Sequence, residues 1–307
     1  MTDATATRPD RIALGIGLIL TSTVFTALQD AMFKTAAADV TLWQIYLMRS
    51  VFLIPALLVI AGAAGNGVRN LRAAFGLWPV LRAGLFLCMY MALYASIPAL
   101  PLAVVAAGIY TAPLFVAGLS AAVLGKPVGP VGWLAIALGF AGVLVILRPG
   151  SEAFSGMALV PVLGGFFYAL SALATRGRLR EVAPVALALA LGFVLLAVGM
   201  VVSLGLYLWP LDGETVQVSP FVFGGWGGLT APVWWFVAVL AALMVGNGLV
   251  LPAAYQLAPS VMIATFDYCY LIWAALFGLW LFGEVPDWQT VVGTAMIAVA
   301  GVLVARG

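Results

Sequence analysis

The sequence contains very few charged residues and no histidine. Charged residues occupy 8% of the 307 positions, whereas a soluble globular domain carries about 25%. So few charges cannot cover a water-facing surface, which excludes a soluble globular protein and requires that most of the surface contact lipid. Cys88 and Cys269 each lie inside an apolar run. Neither a metal site nor a disulfide is expected, and no cofactor is implied.

Two further patterns are missing. The net charge is only +2 and the basic residues are scattered, which excludes a nucleic-acid partner. No Walker motif is present, which excludes direct use of ATP; the Gly-rich stretch 224–228 lacks the preceding strand and following lysine of a phosphate loop. We interpret it as part of an interfacial loop with the aromatic anchors Trp209, Trp226 and Trp234.

Long apolar runs dominate what is present. Hydrophobic residues make up 65% of the chain, and turn residues divide them into runs of roughly the 20 residues that span a bilayer. The first run begins at Ile12 and is interpreted as a retained helix rather than a signal peptide. The sequence predicts an all-α polytopic membrane protein with about ten transmembrane helices. The runs cover roughly 12–33, 41–61, 77–97, 101–124, 129–147, 156–175, 183–209, 232–255, 259–282 and 288–305.

The basic residues are distributed unequally between the two sides of the membrane. With ten spans and the N-terminus inside, only Lys34 and Arg148 fall outside. Because Lys and Arg are enriched in cytoplasmic loops, we expect both termini in the cytoplasm and the loop of about 209–231 outside. The abundance of Ala and Gly suggests a bacterial inner membrane. The cytoplasmic set is Arg8 and Arg11 of the tail 1–11, Arg69, Arg72, Lys126, Arg176, Arg178, Arg180 and Arg306.

The two halves of the chain resemble one another. Residues 25–34 and 167–176 share Phe, Ala, Leu and a terminal base, and a Pro–Tyr–Gly spacing recurs in both halves. We therefore expect two five-helix repeats, 12–148 and 149–307. An odd number of spans per repeat forces the copies into opposite topology, which is a recurring plan of secondary transporters. The recurring residues are Pro101, Tyr110 and Gly125, then Pro259, Tyr268 and Gly283.

Several motifs carry a family resemblance. Lys34 ends the first helix, Arg49 lies inside the second, and Leu281-Phe-Gly-Glu-Val-Pro286 precedes the last. Over about residues 12–305 the chain resembles EamA-type ten-helix members of the drug/metabolite transporter superfamily, and most closely the YddG-type amino-acid exporters. The resemblance implies a secondary transporter that exports small metabolites, with neutral or aromatic amino acids as the expected cargo. The halves diverge where Lys126 replaces the glutamate of the second repeat.

Charged groups at membrane depth are candidate functional residues. Asp30 and Lys34 share one helix face, as an interfacial pair or as part of a site. Arg49 either contacts a substrate carboxylate or pins helix ends. Asp267 could bind a substrate ammonium group, carry a coupled proton, or pair structurally with an arginine.

Polar and aromatic side chains complete the candidate site. Asn247 lies between two glycines that allow close approach, and Tyr90 and Tyr94 share a helix face. Tyrosine rings provide apolar walls with a hydroxyl, which suits an amphipathic ligand, although any single ring could serve packing alone. The predicted substrate-binding set is Gln29, Arg49, Tyr90, Tyr94, Tyr110, Tyr168, Asn247, Asp267 and Tyr268.

Other functions have weaker support. A channel would show polar or charged rings. An intramembrane enzyme would need metal ligands, a Ser/His pair, or a second acid facing Asp267, and Asp30 is expected toward the opposite membrane face. We therefore expect no enzyme. A drug or other metabolite exporter with proton coupling stays open. The expected assembly is a monomer or weak homodimer.

Overall fold

The computed structural model describes residues 11–36, 39–124, 129–148 and 155–306. Two parts of the chain that carry expected cytoplasmic charges lie outside these ranges. They are the tail before Arg11 and the loop residue Lys126. All regular structure within them is helical. A 3-10 turn at Gly156–Ala158 precedes the eighth helix. The helices are α1 (Ile12–Ala36), α2 (Leu42–Ala63), α3 (Gly67–Ala74), α4 (Leu77–Ser96), α5 (Leu102–Ile109), α6 (Ala112–Leu124), α7 (Pro130–Leu147), α8 (Leu159–Arg178), α9 (Pro184–Leu208), α10 (Gly213–Val218), α11 (Pro220–Phe223), α12 (Ala231–Leu257), α13 (Ser260–Asp267), α14 (Cys269–Phe282) and α15 (Trp288–Arg306).

The helices have the length and composition of membrane spans. Within the described ranges, eight segments are long and apolar enough to cross a bilayer. Two shorter apolar segments, Val104–Leu119 and Trp288–Ala300, accompany them. Helices satisfy their own backbone hydrogen bonds, as hydrocarbon requires. The prediction of an all-helical, multi-pass membrane protein is confirmed at this level.

Two apolar runs that the sequence predicts to be single helices are each divided into two helices in the structure. The run 101–124 divides into α5 and α6 at Tyr110 and Thr111, and the run 259–282 divides into α13 and α14 at Tyr268. At the first break, the Thr111 hydroxyl donates to the carbonyl of Gly108 at 2.7 Å. Pro113 in the first turn of α6 cannot donate to the carbonyl of Ile109 and therefore marks the first break, whereas no proline accompanies the second. Each break contains a tyrosine, Tyr110 in the first and Tyr268 in the second.

Four helix pairs make the most extensive contacts: α7 with α15, α2 with α9, α4 with α8, and α1 with α12. Glycines allow the closest approach between α7 and α15. A Cβ on Gly142 would lie 2.7 Å from the carbonyl oxygen of Gly293, and one on Gly293 would lie 2.5 Å from that of Gly142. Hydrocarbon supplies no hydrophobic drive between helices, so this backbone packing stabilises the pair.

The loop of about 209–231 folds over the start of α2. It contains the short helices α10 and α11. Gln44 exchanges two hydrogen bonds with the backbone of Gly227, at 3.2 and 2.9 Å, and the Trp43 indole donates to Val222 at 2.6 Å. Trp209 is 74% exposed, which suits an interfacial anchor.

Candidate functional site

A small internal cavity with several polar side chains lies among α1, α4, α5, α8, α12 and the α13–α14 break. Five of the nine predicted binding residues line it: Tyr90, Tyr110, Tyr168, Asn247 and Asp267. The space open to the centre of a water-sized sphere is about 40 Å³, enough for a few waters. A metabolite therefore requires the surrounding helices to separate.

Asp267 is the centre of a tyrosine network in this cavity. It lies at the end of α13 and is 3% exposed. Its two carboxyl oxygens accept hydrogen bonds from Tyr110 at 3.2 Å and from Tyr168 at 2.7 Å. Tyr255 donates to the Tyr168 hydroxyl at 3.4 Å. These contacts hold a buried carboxyl group between three helices. Among the described residues no basic side chain pairs with Asp267, so the structural pairing with an arginine is not formed.

Asp30 also lines the cavity, although the sequence analysis treats it as remote from Asp267. The Tyr270 hydroxyl donates to Asp30 Oδ2 at 2.5 Å. The rings of Tyr270 and Tyr110 stack with centroids 4.5 Å apart, which links the two acids. The carboxyl groups accept from different tyrosines, unlike an aspartyl dyad that shares one proton. Tyr270, which the sequence places with Tyr110 and Tyr168 among the tyrosines of the central helices, also lines the cavity.

The interfacial pairing of Asp30 with Lys34 is wrong. Lys34 instead forms an ion pair with Glu284 and donates to the carbonyl of Leu100 at 3.2 Å. Gly283 ends α14 in the left-handed conformation, φ 66°, and this turn directs the Glu284 side chain back toward the bundle. Glu284 also accepts from the backbone N–H of Leu102, the first residue of α5, at 3.0 Å.

This ion pair gives a testable asymmetry. We expect Lys34→Met to cost about 1 kcal/mol, because a part-exposed ion pair contributes little. Glu284→Ala should cost about 2 kcal/mol, because it also leaves the Leu102 N–H without its acceptor. Thermal denaturation in detergent compares the two variants. Glu284→Gln is the matched control, since its amide oxygen can still accept from Leu102; equal losses in Lys34→Met and Glu284→Ala would contradict the capping role.

Hydrogen bonds also join the helices at the end of the bundle opposite Lys34. The Gln256 amide donates to the carbonyls of Leu179 and Val182 at 2.8 and 2.7 Å. Arg176 and Arg180 donate to the Gln256 carbonyl at 3.1 and 3.2 Å. These hydrogen bonds join the last turn of α12 to the end of α8 and the segment that follows it.

Asn247 connects α12 to α1 within the cavity. The Ser22 hydroxyl donates to its carbonyl oxygen at 2.5 Å, and its amide donates to Thr26 at 3.0 Å. The neighbouring Gly246 packs against the ring of Phe25. The predicted close approach at this glycine is present, and the amide forms part of the cavity wall.

Four predicted residues lie outside the cavity lining. The Gln29 amide donates to the carbonyl of Phe25 at 3.2 Å, within its own helix. Tyr94 lies behind Tyr90, with the two rings stacked at 5.4 Å. Arg49 is fully buried in α2. Tyr268 borders a separate groove.

That groove runs along α14 and α15 and is larger, about 710 Å³. Its walls are almost wholly apolar, with Leu271, Ile272 and Val291 among them. Such walls suit lipid chains and offer only scattered hydroxyl groups, such as those of Thr290 and Thr294, to a polar metabolite. The smaller cavity, with two buried acids and several hydroxyls, is the candidate site. Among the described residues, no group of three His, Cys, Asp or Glu could hold a metal.

The fold is that of a multi-pass membrane protein, and comparisons with known proteins relate it to transporters. Residues 13–148 match the EamA-like transporter family. The resemblance to EamA-type proteins of the drug/metabolite transporter superfamily is thereby confirmed. A solved crystal structure has a similar fold, with a TM-score of 0.64, 16% sequence identity and 96% of both chains covered.

Three similar proteins are named as riboflavin transporters. A riboflavin transporter of Brucella anthropi is 27% identical over 92% of this chain and 93% of its own length. A riboflavin transporter of Rhizobium johnstonii is 27% identical over 69% of this chain, and one of Vibrio cholerae is 27% identical over 62%. The matches span only 64% and 58% of the latter two proteins.

Proposed function

We propose that this protein is a secondary transporter that moves a small metabolite with a planar aromatic ring by alternating access through the central cavity. The observation that carries the proposal is the cavity itself. Two buried acids, Asp30 and Asp267, are held there by tyrosine hydroxyls. Stacked rings beside polar groups suit a cargo that is aromatic at one end and polar at the other.

Two inverted repeats, 12–148 and 149–307, are part of the proposal. If spans one to five correspond to spans six to ten, the α2–α9 and α7–α15 contacts map onto themselves, and α1–α12 maps onto α4–α8. The helix breaks at Tyr110 and Tyr268 correspond in the same way. The family match also ends at residue 148. Two equivalent halves can rock against each other to expose the cavity alternately.

Ten spans with both termini in the cytoplasm of a bacterial inner membrane complete the arrangement. It puts the Lys34–Glu284 and Arg148–Asp287 ion pairs on the outer side and Gln256 with Arg176 and Arg180 on the inner side. The excess of arginine at the inner side supports this orientation.

Two cargo classes are favoured by different observations. Neutral or aromatic amino acids fit the aromatic walls and the buried acids Asp30 and Asp267. Their export is what the resemblance to YddG-type amino-acid exporters implies. Flavins are favoured by the three relatives named as riboflavin transporters. A proton-coupled exporter of drugs or other metabolites is the remaining alternative, because Asp267 and Asp30 are buried acids without basic partners.

Counterflow in proteoliposomes tests the proposal. Vesicles preloaded with unlabelled phenylalanine or riboflavin should accelerate entry of the same labelled compound. Tyr168→Phe should lower this entry about tenfold, because it removes a hydrogen bond to a buried carboxyl group. Tyr207→Phe is the control, since that ring is 80% exposed on α9.

The outcomes separate the cargo classes. Preload-stimulated entry of one compound identifies the class, and its dependence on a pH gradient distinguishes proton coupling from facilitated exchange. Absence of entry for both compounds, with folded protein, would reject transport of aromatic metabolites. Equal loss in Tyr168→Phe and Tyr207→Phe would reject the cavity as the route.

A further inference from the structure

Arg49 carries a buried guanidinium group that contacts aromatic rings but forms no hydrogen bond with the described residues. Its side chain is fully buried in α2, and Nε, Nη1 and Nη2 have no hydrogen-bond partner among the described residues. The guanidinium carbon lies 5.5 Å from the ring centroids of both Phe33 and Tyr46. Cation–π contacts offset part of the desolvation but satisfy none of the five N–H donors. A buried cation with unused donors is costly unless another state of the protein provides an acceptor.

The rings beside Arg49 lead to the cavity. Phe33 stacks on Tyr94 with centroids 3.7 Å apart, and Tyr94 stacks on Tyr90, which lines the cavity. The Tyr46 hydroxyl and Asp30 Oδ1 are also buried without partners in the described structure. Unused donors on Arg49 therefore lie at one end of a series of aromatic rings that reaches the cavity, and the unused acceptor Asp30 Oδ1 belongs to a residue that lines that cavity.

We propose that Arg49 recognises the carboxylate of an aromatic substrate when the Phe33–Tyr94 stack opens toward the cavity. The planar guanidinium can donate two parallel hydrogen bonds to a carboxylate. Phe33 and Tyr94 would then contact the substrate ring, and Asp30 Oδ1 would accept from its ammonium group. The inference rests on the proposed transport function and narrows its cargo to carboxylate-bearing aromatic compounds such as aromatic amino acids.

Arg82 provides an internal comparison. It is also buried, on α4, and its guanidinium lies 4.6 Å from the ring of Phe86. Unlike Arg49, it donates from Nε to the hydroxyl of Thr175 at 2.7 Å. Arg82 thus has a structural partner on α8.

The test compares phenylalanine with phenylalaninamide, which keeps the ring and the amine but lacks the carboxylate. Equilibrium binding to purified full-length protein is measured for wild type, Arg49→Met and Arg82→Met. We expect wild type to bind phenylalanine about 10- to 100-fold more tightly than the amide, as for a charge-assisted hydrogen bond. Arg49→Met should lose this preference, and Arg82→Met should keep it. The thermal midpoint of Arg49→Met should equal or exceed that of wild type, because no hydrogen bond is lost.

Two results would overturn the assignment. One is a wild type without preference for phenylalanine over the amide. The other is an Arg49→Met protein that keeps the preference while its thermal midpoint falls, as expected for a purely structural arginine. Counterflow of riboflavin without binding of phenylalanine would reject the Arg49 assignment and leave the transport function standing, so the two failures are distinguishable.

Discussion

Asp267→Asn is expected to reduce counterflow at least tenfold while the protein still folds. Asparagine keeps the shape of the side chain but carries an NH2 group in place of one carboxyl oxygen, so one of Tyr110 and Tyr168 can no longer donate to it. Loss of a hydrogen bond to a buried carboxyl group costs about 1.5–3 kcal/mol. The readout is the initial rate of labelled cargo entry into preloaded proteoliposomes.

Asp212→Asn is the matched control for this change. Asp212 caps α10 in the loop by accepting from the Thr215 N–H at 2.8 Å, and asparagine caps helices about equally well. It should transport like wild type. Retention of wild-type rates by Asp267→Asn would show that the network around Asp267 serves packing alone.

Gly293→Val is expected to lower stability more than any other single change considered. The added side chain would meet the Gly142 carbonyl oxygen and Ile146, both 2.5 Å from the position of a Cβ. Overpacking of this kind costs about 3 kcal/mol or more, which corresponds to a fall of roughly 5–10 °C in thermal midpoint. Thermal denaturation in detergent measures it.

Gly17→Val is the control for backbone approach. A Cβ on Gly17 would have no neighbour within 4 Å, so its effect should be small. A similar loss in both variants would mean that glycine content, rather than the contact of α7 with α15, determines the stability.

Much of the helical architecture follows from hydropathy, because a bilayer requires apolar runs of a given length. The runs beginning near Ile12, Trp78 and Pro184 each correspond to one helix. The break at Tyr110 had a local signal in Pro113, at the start of α6, whereas the break at Tyr268 has no proline or glycine beside it and could not be predicted. The second break depends on packing between helices, which local composition does not encode.

The candidate site was predictable in its residue types but not in its pairings. Buried acids and tyrosines are conspicuous in an apolar sequence, and Asp267, Tyr110 and Tyr168 do meet in the structure. The proposed Asp30–Lys34 pair followed from helical spacing, which gives only local neighbours. Glu284 is the partner of Lys34 across the bundle, and its position depends on a turn that spacing alone cannot supply.

Accessibility of the cavity from both sides of the membrane tests the central claim most directly. We would introduce Met89→Cys, at a buried lining position, after replacing Cys88 and Cys269 by alanine. A membrane-impermeant thiol reagent would be applied to vesicles of opposite orientation, with Val201→Cys, 70% exposed toward lipid, as the control. Alternating access predicts labelling of Met89→Cys from either side, slowed by transported cargo. Labelling from one side only, or labelling that cargo leaves unchanged, would contradict it.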